Sequence, residues 1–344
     1  MSTYNYRLTL ILGLSLVLTG CFKDDERITP YDRGDKITMV APMTQNYKYQ
    51  VYIDLDQQAI VSSNHKADFD LMFENSAEGF RIILNTAGFM KAARTGKYAM
   101  SEVVSQAGLS FLFDPSSGNR DSTAIGNWIT IEGADTTYSR EVYVLDRGYD
   151  EFGNVLGFRK IIFDSLIGSN YYFTLANLNG TNEIQGRAEK DPNTNYAYYS
   201  FNNGGGQVYP EPSKLSYDLL FTQYTTLLFT NDGTPYPYLV TGALINPFHT
   251  FVARDSLTPF DSVSMESIGN SIFSSNMDVI GYNWKDVRGD VESGNVFYEV
   301  KPEQVYVLRS RNEMYFKLRF VNFYATEGPE AGEKGYPTIE FQRL

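Results

Sequence analysis

The stretch Ala67–Phe73, ADFDLMF, returns at residues 215–221 as LSYDLLF, with Asp70 aligned on Asp218. Working outward, the neighbouring signals return in the same order. LNTAGFMKAARTG (84–96) is matched loosely by FTNDGTPYPYLVTG (229–242), IGNW (125–128) by IGYNW (280–284), and VYVLDRG (142–148) by VYVLRSR (305–311). Order is kept while the separation grows along the chain, as in two divergent copies whose loops have taken insertions. A period this long means two domains rather than a stack of small repeats. An acid recurring at one place in both copies predicts a buried carboxylate bonded to loop amides.

Each copy reads as strands and turns. In YFKLRFVNF, Phe316, Leu318 and Phe320 alternate with Lys317, Arg319 and Val321, the period of a strand with one apolar and one charged face. In QVYIDL, Val51, Ile53 and Leu55 alternate with Tyr52 and Asp54. Turn signals such as Asn231-Asp232-Gly233 and Asn203-Gly204-Gly205-Gly206 separate such runs. Helical spacing is hardly sustained, the best candidate being residues 98–108. The fold class is therefore all-β, with antiparallel sheets. The expected domains are 46–190 and 191–344, with the polar, turn-rich segment 177–195 as the boundary.

Composition and the N-terminus bound the setting. The formal charge is −12, which argues against nucleic acid, whose phosphates demand clustered Lys and Arg. The one cysteine, Cys21, ends a short apolar run in Leu18-Thr19-Gly20-Cys21. That run is too short to span a bilayer and fits a signal sequence. Its end resembles the lipobox of bacterial lipoproteins, in which the cysteine is lipidated. Residues 1–20 then read as a signal peptide and 21–45 as the lipidated cysteine and a flexible tether. The acids after Cys21 resemble the surface-export signal of Bacteroidota lipoproteins. The expected location is the outer membrane, lipid-anchored and facing the exterior.

The second copy, from YAYYSFNNGGGQVYPEPSKLSYDLLF through PYLVTGALIN, VIGYNWKDV and VYVLRSRNEMYFKLRF to KGYPTIEFQRL, resembles the HmuY-like lipoproteins of Bacteroidota. The first copy carries a weaker version of the pattern. The resemblance implies a β fold with long hairpins, haem held between projecting loops through two axial side chains, and transfer of that haem to an outer-membrane receptor. Of the two histidines, His65 lies in a polar loop of the first copy and His249 in the second. The haem ligands that the resemblance implies are His249 with Met265 or Met277 of the same copy.

No nucleophilic or zinc constellation stands out in the sequence, and only a carboxylate pair for glycoside hydrolysis is left open by its 41 acids. Two histidines in separate copies, with no nucleophile elbow, do not build a hydrolytic triad. Neither histidine has the company of a zinc site, and no metal site is expected. The acid pairs Asp54/Asp56 and Asp68/Asp70 lack the ladder of a calcium loop and read as a solvated face. The expected function is ligand binding rather than catalysis. The alternative to haem is a carbohydrate or a receptor-docking role. Trp128 and Trp284, at matched positions, read as core anchors rather than sugar stackers.

Overall fold

The computed structural model describes residues 34–133, 135–290 and 295–344. The expected antiparallel strands form throughout them, and helical structure among these residues is limited to short 3-10 turns. The helical candidate at 98–108 reduces to one such turn, Met100–Glu102.

Two blocks of strands repeat one plan. In the first, a four-stranded sheet runs β14 (Gly206–Val208), β13 (Tyr196–Ser200), β4 (Leu71–Glu74), β5 (Ile82–Leu84). Its five-stranded companion runs β12 (Ile184–Glu189), β11 (Asn170–Ala176), β10 (Phe158–Ile167), β9 (Val142–Asp146), β6 (Lys91–Arg94). The second block has a four-stranded sheet in the order β3 (Ala59–His65), β2 (Tyr49–Asp54), β15 (Leu219–Phe229), β16 (Pro235–Ile245). Its companion runs β1 (Ile37–Val40), β22 (Lys334–Arg343), β21 (Tyr315–Tyr324), β20 (Val305–Arg309), β17 (Phe251–Asp255). The hairpins β7–β8 (Ile129–Glu132, Asp135–Tyr138) and β18–β19 (Lys285–Asp290, Asn295–Val300) stand apart from the sheets.

Three of the four matched pairs of strings occupy matched places. The loose pair does not, because 84–96 runs from β5 into β6 while 229–242 is the β15–β16 turn and β16, and the counterpart of Asn85 is Asn246. ADFDLMF enters β4 and LSYDLLF enters β15; VYVL opens β9 and again forms β20. Between the two sheets of each block lies one aromatic core, closed by Trp128 in the first and Trp284 in the second, at 1% and 0% exposure. The tryptophans are core anchors. Trp284 stacks on Phe320 with ring centres 3.9 Å apart.

The blocks do not follow the expected division at residue 190. Strand β13 pairs with β4, whereas β2 pairs with β15. The first block is therefore residues 71–208, and the second is 219–343 completed by β1 to β3 from the N-terminus. Segment 177–195 holds strand β12 rather than a linker. The proposed tether is also too long at its C-terminal end. Ile37–Val40 pairs with β22, and Ala41 and Met43 are fully buried; Cys21 and the rest of that segment lie outside the described residues.

Two sequence expectations fail because sheets here are covered on both faces. Tyr52 and Asp54 are as buried as Val51 and Ile53, since the second face of β2 turns toward the other block. Asp56 and Asp70 are buried as well, so neither acid pair is a solvated face. On β21, Lys317 is buried, its Nζ lying 4.8 Å from the centre of the Phe260 ring.

Candidate ligand-binding site

The recurring aspartates sit where the chain crosses from one block to the other. Asp70 accepts from the Phe201 N–H and takes the Arg147 guanidinium on both oxygens, at 2.6 and 3.2 Å. Asp218 accepts from the Leu55 N–H at 3.0 Å, and Arg311 Nη1 lies 3.1 Å from it. Each aspartate thus ties its own strand to one supplied from far along the chain. Burial raises both carboxyls, Asp218 to about 6, while the arginines oppose the shift. Asn85 and Asn246 repeat the same pattern one strand later. Each spends its side-chain amide on two carbonyls of the crossing segment.

Between the blocks these crossings leave an enclosed cavity of about 90 Å³, mostly apolar and lined by Tyr52, Phe69, Tyr196, Tyr198, Tyr217 and Tyr224. Two loops close it. The Met277 N–H donates to the Ser117 carbonyl at 2.9 Å, and Ser116 Oγ donates to Asp278 at 2.6 Å. Gly118 makes the approach possible: a Cβ there would come within 2.6 Å of Met277 Sδ, and its φ of +75° suits glycine. Outside the closure lies an open, polar cleft of about 690 Å³ that shares Tyr196 and Met277 with the cavity. On its walls Arg120 pairs with Glu74 and stacks on Phe248, while Arg81 pairs with Asp121. A cleft of that size falls in the range of small-molecule sites.

Two carboxyl groups that pair with no cation among the described residues lie near the cavity, Asp114 on its wall and Glu211 behind it. Asp114 accepts from the Leu84 and Ala124 N–H groups, each at 2.6 Å. Glu211, behind the tyrosines, accepts from Tyr217 Oη at 2.8 Å, Tyr198 Oη at 3.2 Å, and the Asn195 and Tyr196 backbone. Burial pushes Asp114 up to about 6 and Glu211 to about 7, against the pull of these hydrogen bonds.

Of the expected haem ligands, Met277 lies on the walls of cavity and cleft. Met265 is half exposed on a turn and lies on neither wall. His249 follows Phe248 of the cleft but does not line it; burial, then Lys214 and Arg311, lowers its pKa. His65 is committed elsewhere, with Nε2 2.9 Å from Glu151 and Nδ1 accepting from the Ala67 N–H. Two axial donors would have to face one iron from opposite sides. The described residues bring only Met277 of this set to the cleft, so they do not preform an opposed axial pair. Nor, among the described residues, do three or more His, Cys, Asp or Glu groups gather as for a metal ion.

A family model described as HmuY protein matches residues 46–341. The chain belongs to the HmuY family. Among solved structures, this HmuY-family chain is similar to apo PinO from Porphyromonas gingivitis, at 9% identity over 90% of this chain and 98% of that one, with a TM-score of 0.29. It is also similar to an apo HmuY analog of Tannerella forsythia, at 10% identity over 91% and 99%, TM-score 0.21. A third is a putative HmuY-like heme binding protein from Bacteroides vulgatus, at 18% identity over 39% and 72%, TM-score 0.17. Among curated proteins none matches the chain.

Sequence reading missed Asp114, Glu211 and the tyrosine walls. Glu211 had a local signal, its place between Pro210 and Pro212. Asp114 had none, because its partners are backbone amides 30 residues upstream and 10 downstream.

Proposed function

We propose that this HmuY-family chain is a lipid-anchored capture protein that binds its ligand where the two blocks meet and catalyses no reaction. Lipid on Cys21 would hold it on the outer membrane, facing outward; each buried methylene adds about 0.8 kcal/mol of membrane affinity. The two blocks are read as copies of one unit, a reading supported by their shared sheet order and their matched Asp–Arg pairs. The observation that carries the binding role is the open cleft joined to an aromatic cavity at Met277, with walls from both blocks.

The family makes haem the first ligand to offer, with an outer-membrane receptor as the next holder. The test is a titration of ferric haem into the mature chain carrying Cys21→Ser, followed by absorbance and repeated with Met277→Ala. Saturable one-to-one binding that weakens in the variant supports capture in the cleft. A titration identical to free haem rules haem out and turns the search to other cleft ligands. Haem binding that ignores Met277→Ala places the site elsewhere.

A further inference from the structure

The enclosed cavity has a chemistry that the capture of haem does not use. Six aromatic rings line its walls, and the one carboxyl group among the lining residues, Asp114, is 5% exposed. Among the described residues neither Asp114 nor Glu211 makes an ion pair, and every hydrogen bond to either comes from a neutral donor. A buried carboxylate is costly unless a cation answers it. The negative field of these groups converges on Tyr196, whose hydroxyl is pushed up in pKa by burial, then by Glu211, Glu74 and Asp114, with Arg120 opposing. Tyr196 is 7% exposed, sits on the cavity wall, and its hydroxyl makes no hydrogen bond with the described residues.

Aromatic faces carry negative quadrupole charge and hold ammonium ions, most strongly when water is excluded. We infer that the cavity between the blocks is a binding site for a small organic ammonium ion, caged by the tyrosine rings, answered by Asp114 and Glu211, and accepting its N–H on Tyr196 Oη. The volume of about 90 Å³ is several times the roughly 10–15 Å³ that one water needs on the same measure. Entry lies at the Ser116–Gly118 and Met277 closure, which separates the cavity from the open cleft. The cavity shares Tyr196 and Met277 with the cleft offered to haem, so its ligand is tested with haem absent.

The experiment is calorimetry at pH 8, where Asp114 and Glu211 are ionised, on the mature chain with Cys21→Ser. The probes are trimethylammonium, charged at this pH, and tert-butanol, which has the same shape without the charge. Trimethylammonium should bind one to one, at least about tenfold tighter than the alcohol. Asp114→Asn should weaken it about tenfold. Tyr196→Phe, which disturbs no hydrogen bond among the described residues, should weaken it several-fold. Equal affinity for both probes, no saturable heat, or affinity unmoved by Tyr196→Phe would each overturn the assignment. The outcome is read without haem, so it stands or falls apart from the absorbance titration.

Discussion

The two blocks solve one problem with different charge balances. In the first, Arg147 answers a single buried carboxylate, Asp70, and gives its remaining hydrogen bond to Asn202. In the second, Arg311 lies 2.7 Å from Asp54, 3.1 Å from Asp218 and 4.0 Å from Asp56. One guanidinium there serves three buried acids. The lesson is that similar sheet plans and similar sequence strings do not make equivalent junctions, because the neighbours of a matched residue diverge first.

The largest expected effect breaks this comparison at the arginines. Arg147→Ala should cost about 3–5 kcal/mol, the cost of leaving one buried charge unanswered. Arg311→Ala should cost more, since it strands three. Urea midpoints of both variants at pH 7.5 measure the difference, and equal losses would make the junctions equivalent after all.

Next comes Glu211, whose carboxyl is raised by burial to about 7 from an ordinary value of 4.5. A raised carboxyl means that the folded chain holds its proton longer than the unfolded chain. Its contribution is therefore full below about pH 4.5 and is lost as pH rises through 7. That loss amounts to about 3 kcal/mol. Glu211→Gln should flatten this part of the profile, gaining on the wild type at pH 8 relative to pH 4.5 in denaturant midpoints.

A smaller effect concerns two buried lysines. Lys160 Nζ donates to the Met100, Val103 and Leu178 carbonyls, at 2.8, 2.8 and 2.9 Å. Lys285 Nζ has one carbonyl, that of Thr241 at 2.5 Å, and the Trp284 and Phe323 rings. Burial lowers Lys285 to about 7. Between that value and about 10.4 the unfolded chain holds a proton that the folded chain lacks, so stability rises with pH across that window. Lys285→Met should gain about 2 kcal/mol at pH 7, once lost cation–π contact is deducted, and less at pH 10. Lys160→Met should lose stability, because it strands three carbonyls.

The smallest expected effect lies at the β15–β16 tip. Phe229 is 66% exposed there, and Phe229→Ser should change the unfolding free energy, read from urea midpoints, by less than about 0.5 kcal/mol.

Much of this plan was legible in the residues. Alternation around Phe316, Leu318 and Phe320 named a strand, and Asp70 and Asp218 were read as buried acids bonded to loop amides, as they are. Two of the repeated strings, ADFDLMF with LSYDLLF and VYVL with VYVL, mark strands at equivalent places in two sheets of one order. What could not be read was which strands share a sheet. Strand pairing is a long-range choice, and β2 carries no local mark that it prefers β15 to β4. The same ignorance hid the burial of Tyr52 and Asp54, whose outward face is outward only if no second block covers it. The cavity walls escaped for that reason too: Tyr52, Tyr196 and Tyr217 come together only after the crossings are made.

The crossings also set a timetable. Everything the first block needs, residues 71–208, leaves the ribosome in one run. Of the strands made before it, β2 and β3 can pair with each other at once, but β1 and the other edge of β2 find their partners only after β22 and β15 have been synthesised. Throughout that interval the earliest segment carries unpaired strand edges and apolar side chains such as Met43 and Val51. A chain threaded unfolded through a membrane pore meets the same order, because it too emerges one end first. In both cases the first-made residues are the last to be sheltered.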